Sequence, residues 1–371
     1  MDANPVLEFT EHAEELAKGL SAVALAGEDL WVASDELTSV ERLTLRGGEA
    51  FAGQRSFELD VSLKGPLRLP AVGKTRPDGK EVDQEIDVEG LDVEGGYLWV
   101  VGSHSLKRKN VSVEKDRKDD DEKNIDKLRK VEAEGNRYLL ARVPLVRDEH
   151  SGESVLASAS PDGTLTAAQL DCTMTDSALT RAILEEDEGG KPDRHLSPWL
   201  ALPGKDNGFD IEGVAVSGER VFLGLRGPVL RGWAVVLELH PQDEGPSTLG
   251  LKKIGPKGRR YRRHFLNLGG LGVRDLCIDG RDLLVLAGPT LTHDGPVRVF
   301  RWTGGAAESK ETVVWPDEFA GVLTIPHGEG VDRAEGMTLA PGGNVLVVYD
   351  APADERRVGA SAVRADIFGA P

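Results

Sequence analysis

The sequence has few of the features that mark secreted or nucleic-acid-binding proteins. Its 371 residues include two cysteines, Cys172 and Cys277, which are too few for a disulfide framework and favour a reducing compartment. Acidic residues outnumber basic ones by 63 to 45, giving a net charge of −18. Because a uniformly acidic surface repels phosphate backbones, nucleic acid is not an expected partner.

Long apolar runs and familiar catalytic motifs are also missing. No apolar stretch approaches the roughly 20 residues needed to span a bilayer, and the opening MDANPVLEFTEHAEE lacks the basic and apolar regions of a signal peptide. We therefore expect a cytoplasmic protein without a membrane partner. No Gly-x-Ser-x-Gly elbow, His-Glu-x-x-His helix or P-loop occurs, and the spacing of Cys and His does not match a zinc site.

The sequence instead contains one pattern written five times. Each copy has a polar opening, an apolar run, a turn that usually contains glycine, and a second run rich in Val, Leu and Trp, which together predict a β-hairpin. The second runs read LWVA, LWVV, VFLG, LLVL and VLVV, and their apolar character predicts burial on both faces. The copies lie at residues 19–36, 85–105, 205–228, 273–290 and 332–352.

Third and fourth β-runs after these hairpins predict an all-β chain, a single β-propeller domain over residues 1–371 with five four-stranded blades. The fifth repeat has no fourth strand before the chain ends, so we expect residues 5–10 to close the ring beside residues 361–368. Six blades is the alternative, with a degenerate blade near residues 153–170. The expected fourth strands are residues 56–63, 198–203, 263–269 and 322–326.

Two insertions interrupt the repeats. Residues 105–135 are dense in both charges, which predicts a solvated loop or a short exposed helix that could act as a lid. Residues 147–197 contain a second insertion, in which residues 175–188 have a helical pattern with Asp176 or Ser177 as the N-cap.

Charged residues recur where the repeats would meet. In a propeller, the start of each first strand and the end of each second strand face one mouth of the central channel. The openings are Ser21, Glu89, Glu212, Arg274 and Glu335, and the exits include Asp35, His104, Arg226 and Asp350. Asp275 lies one residue out of phase with the openings. The sequence therefore predicts a mixed acidic and arginine site at this mouth.

The expected roles follow from side-chain chemistry. Glu89, Glu212 and Glu335 would raise one another's pKa unless compensated, either by a hard cation such as Ca²⁺ or by arginine. Glu212 and His104 are the candidate catalytic groups. The candidate groups for binding a small anionic substrate are Asp35, Arg226, Arg274, Asp275 and Asp350. Interblade salt bridges, without a ligand, are the alternative role of the same residues.

Longer phrases carry a family resemblance. KDNGFDIEG, RGPVLRGWAVVLEL, GGLGVRDLC and AGPTLTHDGPVRVFRW, with EIDVEGL and GSHSLKRK, resemble domain-of-unknown-function family 3616, an uncharacterised bacterial family, over nearly the whole chain. More distantly, the Asp-x-Glu-Gly pattern is similar to esterase-like phytase and gluconolactonase-type propellers. This resemblance implies acidic residues around a channel that holds a divalent metal, although Ser21 and Arg274 depart from the acidic pattern.

Three functions remain open at this point. The first is a metal-assisted hydrolase of a small phosphate or ester. The second is a non-catalytic propeller that binds a small anionic ligand or a protein at the same mouth. The third is a scaffold that uses the charged insertion to bind a protein partner.

Overall fold

The computed structural model describes residues 4–60, 65–70, 86–112, 116–185, 191–291 and 293–371, and it is mostly β-structure. Five sheets of three or more strands follow one another along the described chain, and each begins with an antiparallel hairpin. The first strands are Ala22–Ala26, Val88–Glu94, Asp210–Ser217, Gly272–Asp279 and Arg333–Ala340; the second strands are Asp29–Ala33, Tyr97–Gly102, Arg220–Leu230, Asp282–Gly288 and Asn344–Asp350; the third strands are Ser39–Arg46, Leu140–Arg147, Trp233–Leu239, Val297–Trp302 and Asp366–Gly369.

The outer parts of the sheets differ from one another. Fourth strands extend the first, third and fourth sheets at Ala50–Glu58, Tyr261–Leu266 and Phe319–Ile325, and Thr312–Val314 adds a fifth strand to the third sheet. The fifth sheet has three strands in the described chain. The sheets therefore do not form a uniform set of four-stranded units.

The second sheet recruits strands from elsewhere. Ser154–Leu156 and Ala168–Leu170 both pair with its third strand, so the segment considered for a sixth blade lies in the second sheet. The hairpin of Pro241–Gly245 and Thr248–Leu251, which comes from the third repeat, pairs with Ala168–Leu170.

The expected fourth strand at residues 198–203 is wrong. Ser197–Trp199 forms a 3-10 helix, and Pro198 stands at its start. Proline cannot donate to a β-ladder, and the side chains of Trp199 and Leu200 pack against the adjacent hydrophobic core. The apolar composition of this segment thus reflects core packing rather than a strand.

The N-terminal strand joins the two ends of the chain. Val6–Glu8 pairs with Ala362–Arg364 in antiparallel fashion and with Ala50–Phe51 in parallel fashion. Asn4 also bonds both the carboxylate of Asp366 and the backbone N–H of Ile367. The terminal strand therefore lies between the outer strand of the first sheet and the segment that leads into the last strand of the fifth.

The hydrophobic core is divided among the interfaces between successive sheets. Five clusters fill these interfaces, and one of them joins the fifth sheet to the first through Val348, Leu346, Val23 and Leu30. Each first strand also contacts the first strand of the next sheet, and the fifth contacts the first. The buried second strands supply most of the apolar surface, as their sequences predict.

Short helices occur in the loops. They include Ala13–Leu16, Asp121–Arg129 and Ala178–Glu185, with 3-10 turns at Gly135–Tyr138, Gly204–Asp206, Pro256–Gly258, Gly305–Ala307 and Pro316–Glu318. Ser177 caps the helix at Ala178–Glu185, because its Oγ accepts a hydrogen bond from the Thr180 N–H. Residues 186–188 of the expected helix lie outside the described residues. None of the helices found is long and apolar enough to cross a membrane, in the ranges that the structure describes.

The charged insertion at residues 105–135 has a defined element in its described part. Lys107–Arg108 pairs with Val131–Glu132, and the helix Asp121–Arg129 between them buries none of its side chains. Near the start of the insertion, Arg108 forms an ion pair with Asp206 at 2.7 Å. Residues 113–115 lie outside the described residues, and a role as a lid stays a prediction.

Candidate functional site

The charged openings of the repeats are β-bulges. Glu89, Glu212, Arg274 and Glu335 are each the extra residue where the first strand slips by one position against the second strand. Arg226 is a further extra residue, on the second strand of the third sheet. A bulged residue is released from the alternation of the ladder, so its side chain can be aimed away from the sheet. The first sheet lacks this feature, since Ala22–Ala26 pairs with Asp29–Ala33 in continuous register.

The glycine after each glutamate permits close contact between neighbouring first strands. A Cβ on Gly213 would lie 2.7 Å from the Cα of Asp275, and a Cβ on Gly90 would lie 2.8 Å from the backbone nitrogen of Val214. Neither glycine has a positive φ. The glycines are therefore required by the crowding of the first strands rather than by an unusual backbone conformation.

The bulged side chains meet in one pocket of about 100 Å³. Seven of the residues expected at the mouth line it, and they come from all five repeats: Asp35, Glu89, Glu212, Arg226, Arg274, Glu335 and Asp350. The rest of the lining comes largely from two loops of the fourth sheet, one after its second strand and one after its outer strand. The register argument thus places these side chains together, but it says nothing about which of them pair.

Two arginines that line the pocket pair with three carboxylates, of which Glu212 and Glu335 line it as well. Arg226 pairs with Asp210 and with Glu212, the latter at 2.5 Å, and Arg274 Nη1 lies 3.0 Å from Glu212 and 2.8 Å from Glu335. Arg274 Nη2 also donates to the Pro289 carbonyl oxygen at 2.9 Å. We call these five residues the arginine half. Because both arginines are engaged by carboxylates, neither is free to hold a substrate anion in this arrangement.

A second group of carboxylates combines Asp35 and Glu89, which line the pocket, with the buried Asp87, which does not. Asp35, Asp87 and Glu89 each offer an oxygen, and these oxygens all lie within 4.8 Å of one another. Asp87 pairs with Arg137 at 2.7 Å. Within the described chain, Asp35 and Glu89 have no hydrogen bond or ion pair from their carboxylates. We call these three residues the carboxylate half.

The protonation of the carboxylates reflects these surroundings. Burial, followed by the charge of Asp87, raises the pKa of Asp35 to about 6 and raises that of Glu89 well above its usual range. Burial also raises the pKa of Glu335 to about 8, since the charge of Arg274 only partly offsets burial and the nearby Glu212. The pocket therefore holds protons near neutral pH, and a bound cation would displace them.

Three of the residues expected at the mouth, Ser21, His104 and Asp275, do not line the pocket. His104 is buried; its Nδ1 lies 3.1 Å from the Gly102 carbonyl oxygen, and its ring packs edge-on against Tyr138. Burial lowers the pKa of His104 to about 4, so the ring is neutral at physiological pH. The structure therefore gives no support to His104 as a catalytic base.

Asp275 links neighbouring sheets and does not line the pocket. Its Oδ2 accepts a hydrogen bond from the Met337 N–H at 2.6 Å, in the first strand of the next sheet. Asp92 makes the same kind of link, accepting from the Val216 N–H at 2.6 Å. Ser21, at the opening without a charge, donates to the carbonyl oxygen of Val88 in the next repeat. These polar side chains connect the first strands where the glutamates do not.

The sequence reasoning missed Asp87 and Asp210 as members of the site. Both stand two residues before an opening glutamate, in the segments Asp-Val-Glu-Gly and Asp-Ile-Glu-Gly. The signal was therefore present as a repeated Asp-x-Glu pattern. Asp210 pairs with Arg226 and Asp87 pairs with Arg137, so the aspartate of each pattern forms an ion pair with an arginine.

The sequence matches the family described as "Protein of unknown function (DUF3616)" over residues 19–366, so the chain belongs to this family. Among curated proteins, none matches it.

Several solved structures are similar to this chain along nearly its whole length, at low identity. An aldose sugar dehydrogenase from Streptomyces coelicolor is 13% identical, with coverage of 99% of this chain and 100% of that chain and a TM-score of 0.36. A glutaminyl cyclase from Myxococcus xanthus is 10% identical, with 98% coverage of both chains and a TM-score of 0.38. A streptogramin B lyase is 9% identical, with 98% and 97% coverage and a TM-score of 0.35. These similarities are too low to carry a functional assignment.

Proposed function

We propose that this member of the DUF3616 family is a closed five-bladed β-propeller that binds a divalent cation, Ca²⁺ by preference, in its pocket and hydrolyses a small phosphate or ester there. The contact of each first strand with the next, from the fifth back to the first, supports the blade count and the closure. The pairing of Val6–Glu8 with Ala362–Arg364 supports closure as well.

The carboxylate half carries the proposal for the cation. Three carboxylate oxygens within 4.8 Å of one another form a site of hard ligands, which suits Ca²⁺ together with backbone oxygens and water. Asp35 and Glu89 would supply ligand oxygens that have no other partner in the described chain, and Asp87 would supply the oxygen that Arg137 leaves open. The expected ligand set thus shifts from Glu89, Glu212 and Glu335 to Asp35, Asp87 and Glu89.

Glu335, one residue of the arginine half, would move a proton. A bound cation would polarise the electrophile and lower the pKa of a coordinated water. Glu335 lines the same pocket, and its Oε1 is held by Arg274 at 2.8 Å. With its pKa raised to about 8, Glu335 would carry a proton on Oε2 at neutral pH and donate it to the leaving oxygen. Glu212, bonded to both arginines, would fix their positions.

Calcium binding should depend on Glu89. We expect Ca²⁺ to raise the melting temperature of the EDTA-treated protein, since a ligand at about 100 times its Kd adds about 2.7 kcal/mol to the free energy of unfolding. Glu89→Gln should abolish that shift, whereas Glu329→Gln, on an exposed loop, should leave it intact. Isothermal titration of Ca²⁺ into the three proteins checks the result, and binding by Glu89→Gln with wild-type affinity would exclude this site.

One observation supports the non-catalytic alternative: Arg226 and Arg274 are already paired with carboxylates. A hydrolysis assay on the Ca²⁺-binding protein distinguishes a hydrolase from a non-catalytic binding protein. In a hydrolase, Glu335→Gln should slow the release of phenol from phenyl phosphate or phenyl acetate while Ca²⁺ binding is retained. If the wild-type protein binds Ca²⁺ and releases no phenol from either compound, the pocket is a binding site for another ligand.

A further inference from the structure

Four basic side chains line the pocket in addition to the two buried arginines: Lys205, His293, His327 and Arg333. Lys205, His293 and His327 are exposed and, over the described ranges, form no hydrogen bond or ion pair. Arg333 is only loosely paired, with Nη1 lying 3.8 Å from Asp350 Oδ2. We call these four residues the basic rim. They differ from the arginine half, whose cations are fully engaged.

The pocket as a whole is nevertheless acidic. Seven carboxylate side chains line it, against four from Lys and Arg. The ionised members of this carboxyl set would repel an anion that approached the pocket alone. A bound divalent cation reverses the local field, because it becomes the largest charge in the site. The charge distribution therefore makes anion binding conditional on the cation.

We infer that the pocket takes a phosphate monoester dianion after the cation has bound, with the phosphoryl group between the carboxylate half and the basic rim, where Lys205 and Arg333 hold its outer oxygens. This inference rests on the proposed cation site. A neutral ester would offer no counter-charge to Lys205 and Arg333, whereas a dianion with three terminal oxygens can contact a cation on one side and two basic side chains on the other.

Lys205 links the two binding events physically. Lys205 and Asp35 both line the pocket. Removing the positive charge of Lys205 removes its repulsion of a bound cation, so Ca²⁺ should bind as well as before or more tightly. The same change should weaken the binding of the anion. A general structural defect would weaken both ligands, so the opposite directions distinguish direct binding from misfolding.

The experiment uses phenyl phosphate and phenyl acetate as probes in isothermal titrations of the full-length protein. Phenyl phosphate should bind the Ca²⁺-loaded protein at least about tenfold more tightly than the EDTA-treated protein, and it should raise Ca²⁺ affinity by the same factor. Lys205→Ala and Arg333→Ala should each weaken phenyl phosphate by about tenfold, the loss of one charge-assisted hydrogen bond. Lys310→Ala, on an exposed turn, should change nothing.

Several outcomes would overturn the inference. Equal affinity of phenyl phosphate with and without Ca²⁺ would show that cation binding and anion binding are not linked. Equal affinity of phenyl acetate and phenyl phosphate would show that the pocket does not prefer a dianion. Wild-type affinity in both Lys205→Ala and Arg333→Ala would remove the role of the rim. The Ca²⁺ titration alone tests the proposed function, so a protein that binds Ca²⁺ but fails these tests refutes only the inference.

Discussion

The arginine half and the carboxylate half of the pocket are built from the same sequence pattern and have opposite electrostatic character. Glu212 contacts two arginines, whereas Glu89, at the equivalent bulge of the preceding repeat, contacts none in the described chain. The difference arises because Arg226 belongs to the third repeat and Arg274 to the fourth, and both arginines pair with Glu212 of the third repeat. Every carboxylate of the arginine half is therefore paired with an arginine, whereas in the carboxylate half only Asp87 is paired, and Asp35 and Glu89 are left for protons or a cation.

Removing an arginine should have the largest effect. Arg226→Met would leave the buried Asp210 without its ion pair and Glu212 with Arg274 alone, and we expect a loss of about 3–5 kcal/mol in the free energy of unfolding. Arg333→Met, which removes a loose and exposed pair, should change stability by no more than about 0.5 kcal/mol. Urea unfolding monitored by circular dichroism measures both. Similar losses in the two variants would mean that the arginine half is not a compensated network.

A carboxylate that bonds only backbone should have an intermediate effect. Asp92→Ala leaves the Val216 N–H without its acceptor and should cost about 1–3 kcal/mol, while Asp92→Asn retains an acceptor oxygen and should cost less. Burial raises the pKa of Asp92 from 3.8 to about 7. The wild-type protein should therefore lose stability as pH rises from about 4 to 7, and Asp92→Asn should lose less over that range. An unchanged pH dependence in Asp92→Asn would assign the titration to other groups.

Removing a charge from the carboxylate half should have the smallest effect, with the opposite sign. The raised pKa of Asp35 means that the folded state retains a proton that the unfolded chain releases, so the contribution of this group is fully present below about pH 4 and is lost as pH rises to about 6. In EDTA at pH 8, Asp35→Asn should therefore stabilise the protein by about 1 kcal/mol, a figure reduced because the side chain is partly exposed. Thermal melts at pH 5 and pH 8 check this, and destabilisation at pH 8 would show that Asp35 is compensated after all.

The position of the site could be predicted from the sequence, but the pairing within it could not. Glu89, Glu212 and Glu335 were expected to meet because they occupy the same register position in three repeats, and all three line the pocket. Which carboxylate meets an arginine depends on where the bulges direct the side chains. The local sequences Glu-Gly-Leu and Glu-Gly-Val around Glu89 and Glu212 contain no sign of that difference.

The outer strands show the same limit. Hairpins are determined by local runs and glycine turns, so the first and second strands follow the repeats closely. The outer positions of the second sheet are filled by Ala168–Leu170 and by a hairpin from the third repeat. No local pattern identifies a strand borrowed across repeats, because its partner is set by the packing of neighbouring sheets.

The sequence alone determined the repeat, the alternation of apolar strands with glycine turns, and the convergence of charged openings, since these depend on short-range periodicity and on equivalent positions in successive repeats. Only the tertiary structure decided the pairings of Arg226 and Arg274, the grouping of Asp35 and Asp87 with Glu89, and the burial of His104. The physical reason is that an ion pair or a cation site depends on distances of a few ångströms between side chains from different repeats, and those distances are fixed by the bulges and by the close packing of the first strands.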